Sequence, residues 1–286
     1  MELDFERQEK WWDAMAPDED KDQGDGGLNK LLRWREIEKH LPGVNSILDV
    51  GAGIGAFSIP LAERGFSLTH LDFSARMLAL AEQKARGLGL KNISFIKRNA
   101  IDLSVFPDRS FDLVLNMDGA VTSCGVQAER ALQETCRVAR RKVIITVSNL
   151  GGLLPYWVMS SFSVFNSLIP AVFEFQEKGL WDQNQYPDNP ALARFLTGGD
   201  LCQIKAFRAG ELRGLFERLG MKILRLGGIG SLSYLCHLQM SAPSGQIPEA
   251  YQAFIEMCER FDLEIMPDGP GTQQRAGLIA VAEWPE

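Results

Sequence analysis

The sequence predicts an α/β protein in which helices cover both faces of a largely parallel sheet. From residue 46 onward, short apolar runs typical of buried strands alternate with longer helical patterns, and the first run leads directly into a glycine-rich turn. Such alternation predicts parallel strands joined by right-handed crossovers, with the ligand at the carboxyl ends of the strands. In chain order, the pattern predicts strands at 46–50, 67–72, 93–98, 111–116 and 143–148, and helices at 57–64, 75–88 and 128–139.

Two segments flank this core. Helices are expected at 11–16 and 28–40, separated by an acidic, glycine-rich hinge at 17–27, and residues 1–43 are therefore interpreted as an N-terminal helical lid. The core itself is assigned to residues 44–148.

The C-terminal half of the chain completes the core and carries two insertions. An inserted apolar helical cap is expected at 149–206, followed by the rest of the core at 207–286. Within that last part we expect a helix at 209–219, a strand at 222–226 and an apolar last strand at 277–284, with a second insertion at about 231–271 that includes a helix at 249–265.

The glycine-rich turn is the most informative feature. With no Cβ at Gly51, Gly53 and Gly55, the backbone can take positive φ and approach a ligand closely. The spacing also fits the loose dinucleotide fingerprint, so the turn alone leaves two ligand classes open. Asp49, just before the glycines, would repel a pyrophosphate and favours a cationic sulfonium or ammonium ligand. Asp72, at the end of the second strand, is placed to accept hydrogen bonds from ribose hydroxyls of either ligand.

Three segments in this order resemble the class I S-adenosylmethionine-dependent methyltransferases. They are Ile-Leu-Asp-Val-Gly-Ala-Gly-Ile-Gly at 47–55, Leu-Asp-Phe-Ser-Ala-Arg-Met-Leu at 71–78, and Asn-Ala-Ile-Asp-Leu at 99–103 followed by the strand near 111–114. The resemblance implies a doubly wound seven-stranded sheet with an antiparallel last strand beside the fifth, and S-adenosylmethionine as the cofactor. One departure is Asn99, where the family more often has Asp.

The resemblance also implies a set of cofactor contacts. Asp49 and the glycine turn would hold the methionine portion, Asp72 the ribose, and residues 99–101 the adenine. The full implied set is Asp49, Gly51, Ala52, Gly53, Gly55, Asp72, Phe73, Met77, Asn99, Ala100, Ile101, Asn116, Met117 and Asp118. Aromatic residues of the N-terminal helices, Trp11, Trp12 and Trp34, could close over the sulfonium.

No catalytic residue can be assigned from the sequence. The weak candidates for a general base are His70, Asp118, Tyr156 and His237. A base is unnecessary if the acceptor is a thiolate, a carboxylate or a neutral amine.

Composition narrows the class of substrate. The formal charge of −7 argues against a nucleic-acid substrate, because binding to phosphates requires a concentrated positive surface. The run Arg137, Arg140, Arg141 and Lys142 is interpreted as a helix end followed by a loop. Five cysteines without short paired spacing are expected to be reduced, and three scattered histidines favour no metal site. The N-terminal residues contain no apolar signal region, so the expected compartment is the cytoplasm.

Residues 143–173 carry no charge, which raises the question of membrane contact. A membrane span is not expected, because 143–148 are needed as a strand and several prolines and serines interrupt the apolar residues after that strand. Two interpretations remain open: an inserted helix pair that roofs the active site, or a mobile lid that admits a lipid-like substrate by transient contact with a membrane surface.

The predicted activity is methyl transfer from S-adenosylmethionine to an oxygen or nitrogen of a small, partly apolar molecule by in-line displacement. The alternatives are an NAD(P)-dependent oxidoreductase that uses the same glycine turn, and a non-catalytic protein that binds S-adenosylmethionine. The sequence does not predict the oligomeric state.

Overall fold

The computed structural model describes residues 3–19, 26–117, 119–182, 203–232, 249–262 and 277–285. The strands are β1 (Ser46–Val50), β2 (Ser67–Asp72), β3 (Ile93–Lys97), β4 (Phe111–Asn116), β5 (Ala139–Ser148), β6 (Leu180–Asp182), β7 (Gln203–Lys205), β8 (Lys222–Ile229) and β9 (Gly277–Glu283). The helices are α1 (Phe5–Glu19), α2 (Gly26–Lys39), α3 (Ser58–Glu63), α4 (Ala75–Gly87), α5 (Ala120–Ser123), α6 (Ala128–Val138), α7 (Leu150–Phe165), α8 (Pro170–Lys178), α9 (Ala209–Arg218) and α10 (Glu249–Arg260).

Seven strands form one sheet in the order β3-β2-β1-β4-β5-β9-β8. The first five strands are parallel, and β9 is inserted antiparallel between β5 and β8. The predicted fold class and the antiparallel last strand beside the fifth are therefore confirmed. Chain order reverses between β1 and β4, and in open sheets of this kind such a switch point opens a crevice at the carboxyl ends of the strands.

Alternate residues of the strands supply two apolar layers, one on each face of the sheet. Leu48 and Val114 belong to the layer under α6 and α9, whereas Ile47 and Leu113 belong to the layer under α2 and α3. This alternation follows from the two-residue period of a strand. Because both faces are covered, β1 is almost wholly buried along its length.

Some element boundaries differ from those predicted. β5 begins at Ala139, so Arg140, Arg141 and Lys142 open a strand and do not form a loop; pairing of Lys142 with Glu283 of β9 extends the ladder. α1 runs from Phe5 through Pro17 to Glu19 and is longer than the predicted helix. The predicted hinge falls largely on residues 20–25, which lie outside the described part of the chain.

The first insertion contains the two expected helices, α7 and α8, and also an unpredicted two-stranded antiparallel sheet formed by β6 and β7. Its small core is aromatic: the Trp157 ring stacks on Phe175 with centroids 3.9 Å apart, and Trp181 meets Trp157 edge-on at 4.4 Å. Across the described residues, none of the helices combines the length and the apolar character that crossing a bilayer requires.

Candidate functional site

A cavity of about 390 Å³ lies at the carboxyl ends of the central strands. Its floor is the glycine turn after β1, and its walls come from the ends of β2 and β4, the turn after β3, and the helices α1, α2 and α5. The cavity therefore lies at the edge of the sheet where the topology predicts a ligand.

The glycine turn is held against β2 by its backbone. The N–H groups of Gly51 and Ala52 both donate to the Leu71 carbonyl, at 2.8 and 3.0 Å. A Cβ at Gly51, where φ is +68°, would lie 2.3 Å from the Ala120 Cβ. A Cβ at Gly53, where φ is +54°, would meet no protein atom within 4 Å, although Gly53 lines the cavity. The space beside Gly53 is therefore available to a ligand.

Two buried acids face the cavity, one from each of two neighbouring strands. Asp49 of β1 is 1% exposed and Asp72 of β2 is 6% exposed. The Asp72 carboxylate accepts hydrogen bonds from the N–H groups of Gly53 and Ser74, both at 2.8 Å. Burial raises the pKa of Asp72 to about 6, and nearby Asp13 adds to this rise, whereas the backbone donors act against it.

Helix α1 covers the cavity with one face. Gln8, Trp12, Met15 and Glu19 follow the spacing of a helix face, and Trp11 stands edge-on to Trp12 with ring centroids 4.6 Å apart. Several side chains anchor the helix: Gln8 Nε2 donates to the Ser123 carbonyl at 2.8 Å, Glu9 pairs with Lys97 at 2.5 Å, and the Asp13 carboxylate accepts from Ser74 and Arg76.

Most of the cofactor-binding residues predicted from the sequence line this cavity. They are Asp49, Gly51, Ala52, Gly53, Asp72, Phe73, Met77, Asn99, Ala100 and Met117. Trp11 and Trp12 line it as well, whereas Trp34 packs edge-on against Phe57 in the core. Asp118 lies outside the described residues.

Three predicted contacts do not line the cavity. Asn116 is fully buried and donates from Nδ2 to Thr135 Oγ1 of α6 at 3.0 Å, because its position in β4 directs it to the α6 face. At Gly55 the missing Cβ makes room for Ile59, whose Cδ1 would otherwise lie 2.5 Å away. Ile101 packs against the core.

The Asn99 amide oxygen already has a local role. It accepts from the backbone N–H of Ile101 at 3.1 Å, which closes an Asx turn after β3. Asn99 lines the cavity, but this turn accounts for one lone pair of the oxygen that the sequence assigned to the adenine amino group.

The two catalytic candidates that the structure describes, His70 and Tyr156, do not line the cavity. His70 is wholly buried behind the glycine turn, with Nδ1 2.7 Å from Ser58 Oγ and Nε2 3.1 Å from the Gly53 carbonyl, and burial lowers its pKa to about 4. Tyr156 lies on the outer side of α7. Asp118 and His237 fall outside the described residues.

Sequence reasoning missed the contribution of α2. Asn29, Lys30 and Arg33 line the cavity, and Arg33 is 3% exposed. Lys30 and Arg33 are three residues apart on a helix and therefore project from the same side, which is the signal that could have found them. The cavity thus combines acids and cations, a combination that suits a zwitterionic ligand. Within the described ranges, no group of three His, Cys, Asp or Glu side chains is arranged to hold a metal ion.

The core of the chain also matches a known protein domain. Residues 47–142 match the family described as "Methyltransferase domain". The chain is 33% identical over 103 residues to a phosphatidylethanolamine N-methyltransferase of Cereibacter sphaeroides, and 32% identical over 108 residues to human EEF1A lysine methyltransferase 2. These two matches cover 36% and 34% of this chain, and 49% and 45% of the relatives, so the chain spans about half the length of those curated relatives.

Two longer matches extend beyond that domain. A demethylmenaquinone methyltransferase of Listeria monocytogenes is 26% identical over 200 residues, which is 66% of this chain and 83% of the relative. A crystal structure of a SAM-dependent methyltransferase from Methanosarcina mazei shares the fold, with a TM-score of 0.52 and 20% identity over 87% of this chain and 96% of that one.

The cavity fits the cofactor that this domain uses: the glycine turn leaves open space, an acid ends each of the two strands, and aromatic rings cover the opening. Residues 47–142 therefore match a methyltransferase domain, and the residues that line the cavity fit S-adenosylmethionine as the cofactor.

Proposed function

We propose that the protein transfers the methyl group of S-adenosylmethionine to an oxygen or nitrogen atom of a small, partly apolar molecule. The observation that carries this proposal is the cavity that is lined by the buried acids Asp49 and Asp72 and covered on one side by α1. Such an enclosure suits a reaction in which two small reactants are held in line and water is kept out.

The chain's own residues divide the cofactor between them. The Asp72 carboxylate receives the ribose hydroxyls, and Phe73 with Met77 covers one face of the adenine while Ala100 covers the other. Gly51, Gly53 and Asp49 hold the methionine portion, whose ammonium group is drawn to the buried acid.

Lys30 and Arg33 of α2 are assigned to the methionine carboxylate. Both line the cavity, and they lie on α2, whereas the adenine-binding residues come from the beginning of α4 and the turn after β3. A guanidinium group binds a carboxylate through two parallel hydrogen bonds, so we assign the principal role to Arg33.

When bound, S-adenosylmethionine supplies an electrophilic methyl group on a sulfonium. The contribution of the protein is chiefly positioning, which is worth up to about 7–11 kcal/mol when two reactants are held at reacting distance. Trp11, Trp12 and Met15 of α1 exclude water from the bound reactants. The aromatic face of a tryptophan also stabilises a nearby cation.

Proton removal does not depend on a histidine in this proposal. Among the described residues that line the cavity there is no histidine, and burial raises the pKa of the Cys124 thiol to about 12, so that group stays protonated. Of the carboxylates that the structure describes, those of Asp49, Asp72 and Glu19 line the cavity. Because the first two are assigned to the cofactor, Glu19 is the candidate base, and an acceptor that is already nucleophilic would need none.

The acceptor is expected to have substantial apolar surface. Besides the residues assigned to the cofactor, the cavity is lined by apolar side chains of Trp11, Trp12, Met15 and Ala120. The names of two relatives give phosphatidylethanolamine and demethylmenaquinone as acceptors of those proteins. A protein lysine is the second candidate acceptor, because human EEF1A lysine methyltransferase 2 matches at similar identity.

The outer face of α7 and α8 is relevant to the route by which an apolar acceptor enters the cavity. It exposes Tyr156, Met159, Phe162, Val164 and Phe173. These side chains keep two interpretations of this insertion open, a roof over the site or a surface that touches a membrane while a lipid-like acceptor enters.

The test compares ligands and acceptors directly. Calorimetry with S-adenosylhomocysteine and with NAD distinguishes a methyltransferase from a nicotinamide-dependent oxidoreductase. Production of S-adenosylhomocysteine from S-adenosylmethionine is then measured with phosphatidylethanolamine, a quinol and a lysine peptide as acceptors. Turnover of a lipid or quinol that places the methyl group on oxygen or nitrogen supports the proposal, whereas methylation of a ring carbon contradicts the assigned acceptor atom. Turnover with the peptide alone replaces the small-molecule acceptor, and cofactor binding without turnover of any acceptor favours a non-catalytic binding protein.

A further inference from the structure

Two side chains of β2 form hydrogen bonds with the backbone N–H and the backbone carbonyl of Gly53, a residue of the glycine turn. The N–H of Gly53 donates to Asp72 Oδ2 at 2.8 Å, and the carbonyl of Gly53 lies 3.1 Å from His70 Nε2. His70 and Asp72 are two residues apart on a strand and therefore project from the same face. Gly53 is thus held by two side chains of β2.

The protonation state of His70 follows from its partners. A carbonyl oxygen can only accept, so Nε2 must carry the proton that points at Gly53. Burial lowers the pKa of His70 to about 4, so the ring is neutral at pH 7 and Nδ1 is an acceptor. The hydroxyl of Ser58, the first residue of α3, must then donate to Nδ1, 2.7 Å away.

No other described polar partner competes for this ring. On the β3 side the ring faces Phe95, with centroids 5.0 Å apart, and in β1 the residue in register is Asp49. His70 and Ser58 are both wholly buried. The ring does not line the cavity, so an effect of His70 on a bound ligand would pass through Gly53, to which Nε2 is hydrogen-bonded.

We propose that His70 and Ser58 form a positioning pair that fixes the Gly53 peptide in the conformation that binds the methionine portion of the cofactor. The inference rests on the proposed function. Ser58 selects the tautomer, and His70 then supplies a donor that the Gly53 carbonyl would otherwise lack. Gly53 has φ of +54° and open space beside it, so few other contacts restrain this peptide.

The tautomer is tested on the wild-type protein. Long-range ¹H–¹⁵N spectra of ¹⁵N-histidine-labelled protein give the state of each ring nitrogen, and a His70→Gln sample assigns the signals. The neutral Nε2–H form is expected at pH 7 and still at pH 5.5. An Nδ1–H form or an imidazolium at pH 7 overturns the proposal.

Variants test the consequence for binding, with S-adenosylhomocysteine as the calorimetric probe. His70→Leu removes the donor while keeping an apolar side chain, and its Kd should rise roughly tenfold, the effect of one buried hydrogen bond. His70→Gln retains an N–H donor and should recover part of that loss. Ser58→Ala should weaken binding less than His70→Leu. The control, His40→Gln, alters a histidine that contacts Glu36 on α2 away from the cavity and should leave Kd unchanged.

The outcomes separate this inference from the proposed function. A folded His70→Leu protein with wild-type Kd overturns the positioning role, since a purely packing role would tolerate Leu. If His70→Leu does not fold, Ser58→Ala decides, and an unchanged Kd in that variant counts against the pair. Failure of the wild-type protein to bind S-adenosylhomocysteine would instead refute the proposed function.

Discussion

The carboxylate of Asp13 accepts a hydrogen bond of 2.5 Å from the hydroxyl of Ser74, which joins α1 to the beginning of α4. The same carboxylate oxygen accepts from the backbone N–H of Arg76 at 3.0 Å. The Ser74 oxygen in turn accepts from the Met77 N–H as the N-cap of α4. The cover of the cavity is therefore attached to the helix that carries Met77, which we assign to the adenine, so we expect these contacts to open when the cofactor exchanges.

The first prediction concerns this attachment. Asp13→Ala removes both hydrogen bonds to α4, so α1 opens more often and S-adenosylhomocysteine dissociates faster, with Kd raised by roughly three- to tenfold. Stopped-flow fluorescence of Trp11 and Trp12 measures the dissociation rate. Glu6→Ala, an exposed acid on the same helix, is the control. Equal rates in the two variants would mean that α1 does not gate the site.

Gly53→Ala should abolish cofactor binding while the fold survives. The positive φ makes any side chain cost about 1–2 kcal/mol of stability, and the added Cβ would occupy the space assigned to the ligand. Gly89→Ala is a matched control, because Gly89 also has positive φ and no neighbour within 4 Å of a Cβ but lies outside the cavity. Thermal unfolding should give similar losses for both, and calorimetry should show lost S-adenosylhomocysteine binding only for Gly53→Ala. Binding that survives in Gly53→Ala would show that the ligand does not use this space.

The role of Arg33 is tested by comparing a ligand that has the amino acid group with a ligand that lacks it. Arg33→Met should weaken binding of S-adenosylhomocysteine by roughly tenfold or more, the effect of losing a charge-assisted hydrogen bond. Binding of methylthioadenosine, which has no amino acid group, should not change. Arg35→Met is the control, because Arg35 lies on the same helix but pairs with Glu259 at 3.2 Å. A loss of equal size for both ligands would place the effect of Arg33 elsewhere.

The pH dependence of binding should report the titration of Asp72. Ribose hydroxyls donate to the charged carboxylate, so cofactor binding favours the deprotonated form. Because the pKa of Asp72 is raised to about 6, affinity for S-adenosylhomocysteine should be constant above pH 7 and weaken as pH falls through about 6. Asp72→Asn should bind more weakly and lose this pH dependence. A profile that keeps its step near pH 6 in the variant would assign the titration to another group.

The raised pKa of Asp72 affects the stability of the ligand-free protein in the opposite direction to its effect on cofactor binding. A carboxyl whose pKa is raised in the folded state binds more protons there than in the unfolded chain, so its contribution to stability is present at low pH and is lost as pH rises through about 6. The charged Asp72 therefore destabilises the free protein at neutral pH. As pH rises from 4 to 7.5, the difference in melting temperature between Asp72→Asn and the wild-type protein should shift in favour of the variant, and a difference that stays constant would contradict this.

The sheet could be predicted from the sequence because its signals are local. An apolar run such as Ser46–Val50 specifies a buried strand, and the glycine turn identifies the carboxyl edge where the ligand binds. Errors arose where a side chain has two possible orientations. Asn116 is the last residue of β4 and precedes Met117, which lines the cavity. The face of the strand on which the Asn116 side chain lies is the opposite one, and it packs there against Thr135 of α6.

The remaining parts of the site depend on tertiary packing. The spacing of Lys30 and Arg33 puts both on one side of α2, but whether that side faces the cavity depends on how α2 docks against the sheet. His70 illustrates the same limit: the sequence offered it as a candidate base, and only the structure shows that the Gly53 carbonyl and the Ser58 hydroxyl occupy both ring nitrogens.

The assigned roles all require that an adenosyl ligand with a methionine side chain binds across the carboxyl ends of β1 and β2. Calorimetry of the purified protein with S-adenosylhomocysteine at pH 7.5 measures this binding. We expect one ligand bound per chain and a higher melting temperature, with no heat from NAD under the same conditions. Heat from NAD together with no heat and no thermal shift from S-adenosylhomocysteine would contradict the assignment.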